Sequence, residues 1–261
     1  MEWHEVQEWN LPEFLRSDAP NKDTQIARAA ALLEKYFKYR DDGRPCFTGS
    51  RFDLIGTRDN SGSTNRFTGD DIMAVSMLSE DVPAQAALVL VGDNNREVFE
   101  KISDKLEQLD LDLTLIDAEL TATRNGVLVP GPVYRIMDDL WWLVRRSRGT
   151  TLGEMPLGIG PTRASKLLAR KRPHLFPIID SVVTKTLAPP GKKDVGMNYW
   201  VSLQHHLTIN DSFLENRLIE IRDTASEIPA TLSTIRVFDI LVWMHGKGYT
   251  SEPEEGCAIK P

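Results

Sequence analysis

The chain has 261 residues, 41% hydrophobic and 26% charged, a formal net charge of −7, and two cysteines, Cys46 and Cys257. That is enough apolar material for a core and excludes a wholly disordered chain. No apolar run approaches the roughly 18 residues that read as a membrane span, so no membrane partner is expected. Two thiols exclude a disulfide framework and a four-cysteine zinc or iron–sulfur centre, and a reduced, cytoplasmic location is the default expectation. The acidic start, Met1-Glu2-Trp3-His4-Glu5, lacks the basic and apolar segments of a signal peptide.

In chain order, Trp3, Trp9, Leu11 and Phe14, with Pro12 and Pro20, read as an irregular packed arm. Residues 24–39 read as a helix, because Ile26, Ala29, Ala30, Leu33, Tyr36 and Phe37 recur at three and four; Asp42-Gly43 and Pro45 stop it. Residues 56–66 are rich in Gly, Ser, Asn and Thr and read as a loop. Thr68-Gly69-Asp70-Asp71 then form a capping box ahead of Ile72, Val75, Met77 and Leu78. Further helices are expected from Pro83, over Ala87–Val91, and over 96–109; Leu111–Ile116 stays open between strand and helix. Residues 131–147 carry a strong helical pattern ending in Arg145-Arg146, bases that suit the negative end of a helix. Past Pro189–Gly191, helices are expected over 196–208, 211–226 (with Asp211 as N-cap) and 231–246, leaving a tail at 251–261.

Charge is uneven. Residues 135–193 hold twelve Lys and Arg against four Asp and Glu, net +8, so the remainder is −15. A basic segment in an acidic body reads either as a solvated face or as a surface for phosphate. Within it, Gly158-Ile159-Gly160-Pro161 reads as a tight turn into a helix. Its amides and the positive helix end fit a phosphate, with Arg163 and Lys166 adding charge. The helix ends in Arg170-Lys171-Arg172-Pro173, and Phe176-Pro177-Ile178-Ile179 delivers Asp180 to the start of a new apolar segment.

Gly158-Ile159-Gly160, Ala164 and Phe176-Pro177-Ile178-Ile179-Asp180 with Val183 resemble the helix-hairpin-helix signature of the endonuclease III-like DNA glycosylases. The detailed likeness spans about 155–184; Leu-Leu-Ala-Arg-Lys-Arg-Pro also resembles an uncharacterised actinobacterial domain family. The first likeness implies DNA contacts at Gly158, Ile159, Gly160, Thr162, Arg163 and Lys166, and a catalytic carboxylate at Asp180. Thr162 stands where bifunctional members place their lysine, so a monofunctional enzyme, or a relic that only binds DNA, is implied. No metal or organic cofactor is implied, at most a monovalent cation at the hairpin.

A glycosylase also extrudes its base into a pocket. Tyr134, Trp141 and Trp142 are the pocket candidates, with Tyr199 and Trp200 behind them, although each also suits a core. Asp239, in an apolar helix, needs a partner, and Arg236 three residues back is the nearest. His205-His206 reads as a surface pair, because adjacent helical residues do not converge.

The expected architecture is therefore mainly α, in two helical lobes. One covers 64–180 and contains the helix-hairpin-helix. The other joins 1–63 to 181–250, with the active cleft at Asp180 between the lobes. The expected function is removal of a damaged or modified base from DNA, as in base excision repair. The alternatives are a non-catalytic helix-hairpin-helix DNA binder and a helical scaffold for RNA or an acidic protein.

Overall fold

The computed structural model describes residues 4–56, 63–92, 96–145, 158–193, 195 and 198–251. Trp3, much of the expected 56–66 loop, Arg146, Arg148, Leu157, Cys257 and nearly all of the tail lie outside the described residues.

The chain is mainly helical. In order it forms α1 (Lys22–Phe37), α2 (Gly69–Met77), α3 (Ala84–Leu90), α4 (Arg96–Glu107), β1 (Thr121–Arg124), β2 (Val127–Pro130), α5 (Pro132–Arg145), α6 (Pro161–Lys171), α7 (Ser181–Thr186), α8 (Tyr199–Thr224) and α9 (Thr234–Gly246). Two compact units result: Met1–Ser50 with Ile179–Pro261, and Arg51–Ile178. The boundaries fall earlier than the patterning suggests, for a physical reason. Arg170 donates to the carbonyls of Phe52 (2.8 Å) and Ile55 (2.8 Å) and so ties the segment after Arg51 to α6. Asp180 caps α7, and α7 packs on α9.

In the first unit α9 is the central helix, buried along nearly its whole length, and α1, α7 and α8 pack on it. α7 approaches closely at Gly246, where a Cβ would stand 2.1 Å from Thr186 Oγ1. The two helices expected over 196–208 and 211–226 form one run with a break. Asn210, Asp211 and Ser212 all take left-handed φ, between 52° and 56°. Asp211 is therefore inside the break rather than an N-cap, and its carbonyl accepts from Asn216 Nδ2 (3.2 Å).

In the second unit α4 packs on α3 and α5, and α6 packs on α2 and α5. α2 starts with the expected capping box, in which Thr68 N donates to Asp71 Oδ2 at 2.9 Å. α5 buries Met137, Leu140 and Val144, one stripe at helical spacing. Residues 111–116 form turns and irregular backbone. The antiparallel hairpin β1–β2 pairs Thr121 with Pro130 and Arg124 with Val127. Its turn is Asn125-Gly126, with φ of 51° and 76°, the left-handed pair that a two-residue hairpin loop demands. Gly131 follows, where a Cβ would lie 2.1 Å from the Glu119 carbonyl oxygen.

Candidate functional site

The glycine turn precedes α6 as expected; residues 146–157 ahead of it, where the resemblance implies the first helix of the hairpin, lie outside the described residues. Gly158 is exposed at φ +69°, a conformation that favours glycine. Ile159 is buried and anchors the turn. Gly160 is the N-cap of α6 with no side-chain cap, Pro161 opens the helix, and a Cβ on Gly160 would meet nothing within 4 Å. The first amides of a helix lack intrahelical acceptors. Donors and open space therefore coincide at the start of α6. Thr162 is half-buried in that first turn.

The charges expected there are directed elsewhere. Arg163 pairs with Glu80 (3.1 Å) and donates to the Gly158 carbonyl (3.1 Å), bracing the turn from within. Lys166 is 3% exposed and donates to the Leu78 carbonyl at the C-terminal end of α2 (3.0 Å). The downstream bases are equally committed. Lys171 Nζ lies 2.5 Å from Asp71 Oδ2 and 3.0 Å from the Ser63 carbonyl; Arg170 Nε lies 3.4 Å from Asp71 Oδ1. Burial pushes the Lys171 ammonium below its ordinary pKa, and the Asp71 carboxylate opposes that shift.

Arg172 spends all five N–H groups inside the protein. Nε donates to Leu109 O (2.8 Å), Nη1 to Thr64 O (3.0 Å) and Lys171 O (2.7 Å), and Nη2 to Asn65 Oδ1 (2.5 Å) and Leu106 O. Burial pushes it down to about 10, still a cation at neutral pH. The basic run Arg170-Lys171-Arg172 is thus a clamp on Phe52, Ile55, Ser63, Thr64, Asn65 and Asp71 and on the carbonyls ending α4, not a solvated face. Charge counting along the sequence misses this, because the partners are main-chain carbonyls, the Asn65 amide oxygen and Asp71, most of them tens of residues earlier or more.

Asp180 is the N-cap of the six-residue α7, its Oδ1 accepting from Val182 N at 2.8 Å, and it is half-buried. Tyr199 is fully buried. Desolvation first, then the carboxylates of Asp239 and Asp180, push its phenol well above the ordinary value and keep it protonated. Asp180, Tyr199 and Asp239 therefore share one electrostatic neighbourhood in the first unit. Trp9 stacks there, 4.9 Å from Tyr199 and 4.9 Å from His206. Asp239 is 3% exposed, as its apolar surroundings require. Arg236, three residues back on the same helix, places Nη2 3.3 Å from the Tyr36 hydroxyl and its guanidinium over that ring. Of the expected surface pair, His205 is exposed and His206 is partly covered. The His206 Nε2 is 2.9 Å from the Gln7 carbonyl, and burial lowers its pKa.

The pocket candidates on α5, Tyr134, Trp141 and Trp142, are all half-buried. Trp142 Nε1 donates to Asp138 (2.9 Å), and Arg145 lies over both indoles. Among the described residues no group of three or more His, Cys, Asp or Glu is placed to hold a metal, and no helix is long and apolar enough to cross a membrane.

Comparison with curated proteins and with solved structures gives no match. Residues 29–246, most of the chain, match the model of a family of unknown function, DUF6308, and the protein belongs to that family.

Proposed function

We propose that the protein binds DNA through the Gly158–Gly160 turn and acts on it as a monofunctional DNA glycosylase, with Asp180 as its carboxylate. The observation that carries this reading is the uncapped start of α6 behind left-handed Gly158, with open space over Gly160. With Arg163 and Lys166 committed internally, the grip on phosphate rests on backbone amides and the helix dipole.

In the proposed reaction the N-glycosidic bond breaks and positive charge develops on the sugar. Asp180 stabilises that charge and orients a water, which adds to the sugar carbon as the base leaves carrying the proton. Thr162 supplies no amine for a Schiff base. The product is an intact abasic strand, the substrate for the next step of base excision repair.

Asp180→Asn tests the catalytic part. Asparagine still caps a helix, so folding and DNA binding should persist. The charge needed only in the transition state is gone, so the rate of base release should fall. The substrates are duplexes carrying a panel of modified bases, followed by alkali cleavage. Gly160→Glu fits the open space and should weaken binding to every duplex by placing a carboxylate where phosphate sits; unchanged affinity in a folded variant refutes the hairpin site.

A second reading is a non-catalytic DNA binder, favoured by one fact: Asp180 Oδ1 is already spent on the cap of α7. It becomes the better account if the wild type binds duplexes and releases no base. The scaffold reading draws less support, since Lys166, Arg170, Lys171 and Arg172 spend their donors on internal carbonyls and on Asp71.

A further inference from the structure

One cation of the basic segment differs from its neighbours. Arg145, the last residue of α5, lays its guanidinium over two indoles, 5.6 Å from the Trp141 ring centroid and 5.1 Å from that of Trp142. Trp142 is fixed in turn by its 2.9 Å hydrogen bond to Asp138. Arg163, Lys166, Arg170, Lys171 and Arg172 all reach carboxylates or carbonyls. Among the described residues Arg145 makes no ion pair, and its Nε is buried without a hydrogen-bond acceptor. Burial alone shifts its pKa, downward, and no carboxylate offsets it.

The geometry of a guanidinium explains what such a site takes. Its faces stack on aromatic rings while its edge presents five N–H donors in a planar fork. Here the guanidinium lies over both indoles, and its Nε has no acceptor. The negative end of α5 offsets part of the charge but not the missing acceptors. A group bearing two oxygens on one centre restores both charge and hydrogen bonds, and phosphate does so bidentately.

We propose that Arg145, held by Trp141 and Trp142, is an oxyanion site that takes a phosphodiester group of nucleic acid. The choice of nucleic acid as the source of the phosphate rests on the DNA reading above. It has local support, because α5 packs on α6, the helix that carries the glycine turn. The site supplies a side-chain cation where Arg163 and Lys166 supply none.

Two titrations of the full chain test this. Tryptophan emission is followed against inorganic phosphate. A saturable change is expected in the wild type, abolished in Arg145→Gln and weakened about tenfold in Arg145→Lys, which keeps the charge and loses the fork. Binding to a dye-labelled duplex is then measured across salt concentration. Losing one phosphate contact should lower the slope of log K against log salt by about 0.9 in Arg145→Gln. Circular dichroism shows whether each variant is folded, and Arg145→Lys keeps the test available if Arg145→Gln is not.

A wild type that binds duplex, with slope and affinity unchanged in the folded Arg145 variant, overturns the inference and leaves the DNA reading standing. A wild type that binds no duplex overturns the DNA reading and the nucleic-acid source. The phosphate titration then decides the oxyanion site alone, and an unresponsive wild type overturns that too.

Discussion

Asp71 offers the sharpest test of how the second unit is held together. Its side chain is 3% exposed and sits between Lys171 Nζ (2.5 Å) and Arg170 Nε (3.4 Å), whose own side chains are 6% and 9% exposed. It also closes the capping box of α2 on Thr68 N (2.9 Å). Asp71→Ala removes the counter-charge of two buried cations and one cap. Breaking a buried pair from one side costs roughly 3–5 kcal/mol, and losing a cap adds about 1. The carbonyls of Ser63, Phe52 and Ile55 still accept from the two bases, which places the total near the low end, roughly 3–4 kcal/mol. At about 2–4 °C per kcal/mol for a chain of this size, the unfolding midpoint should drop by roughly 6–16 °C. Asp71→Asn isolates the charge, because the amide oxygen still reaches Thr68; it should show most of the drop. The assay is thermal unfolding of the full chain by circular dichroism at one pH and salt concentration. A shift of less than about 2 °C in Asp71→Ala would refute the clamp, since a loss that small belongs to solvated pairs.

Two further outcomes follow from the same contacts. Arg172→Lys keeps the charge but offers three donors instead of five, so buried carbonyls of Leu106 and Leu109 lose partners; about 3 kcal/mol of stability should go, read from a urea midpoint, and an unchanged midpoint would contradict the buried fork. Burial lowers the pKa of His206, so the unfolded chain takes up its proton first as pH falls below about 6.5. The stability His206 allows is therefore complete above that pH and is lost as pH falls through the folded value. The midpoint should drop between pH 7 and 5, less steeply in His206→Gln; equal slopes would place the ring in solvent. His245, also lowered by burial, should account for part of the remaining slope.

The sequence by itself determined the helical class, most of the helices and the capping box at Thr68, because these follow from spacing along one strand of chain. It also determined that a glycine turn opens α6, that Asp180 stands at a helix start, and that Asp239 is buried. The Asn125-Gly126 hairpin was missed, although Asn-Gly is a local signal for two residues with positive φ, because it lies between segments whose helical periodicity is stronger. What only the tertiary structure decided is where the charges go. Arg163 meets Glu80, Lys166 meets Leu78, Lys171 meets Asp71, and Arg172 meets Leu106 and Leu109. Those partners are tens of residues away or more, and several are main-chain carbonyls, identical at every position, so no residue pattern marks them. A count of +8 over one segment therefore described a clamp as readily as a phosphate surface. The difference lies in desolvation and pairing, which exist only once distant parts of the chain are packed together.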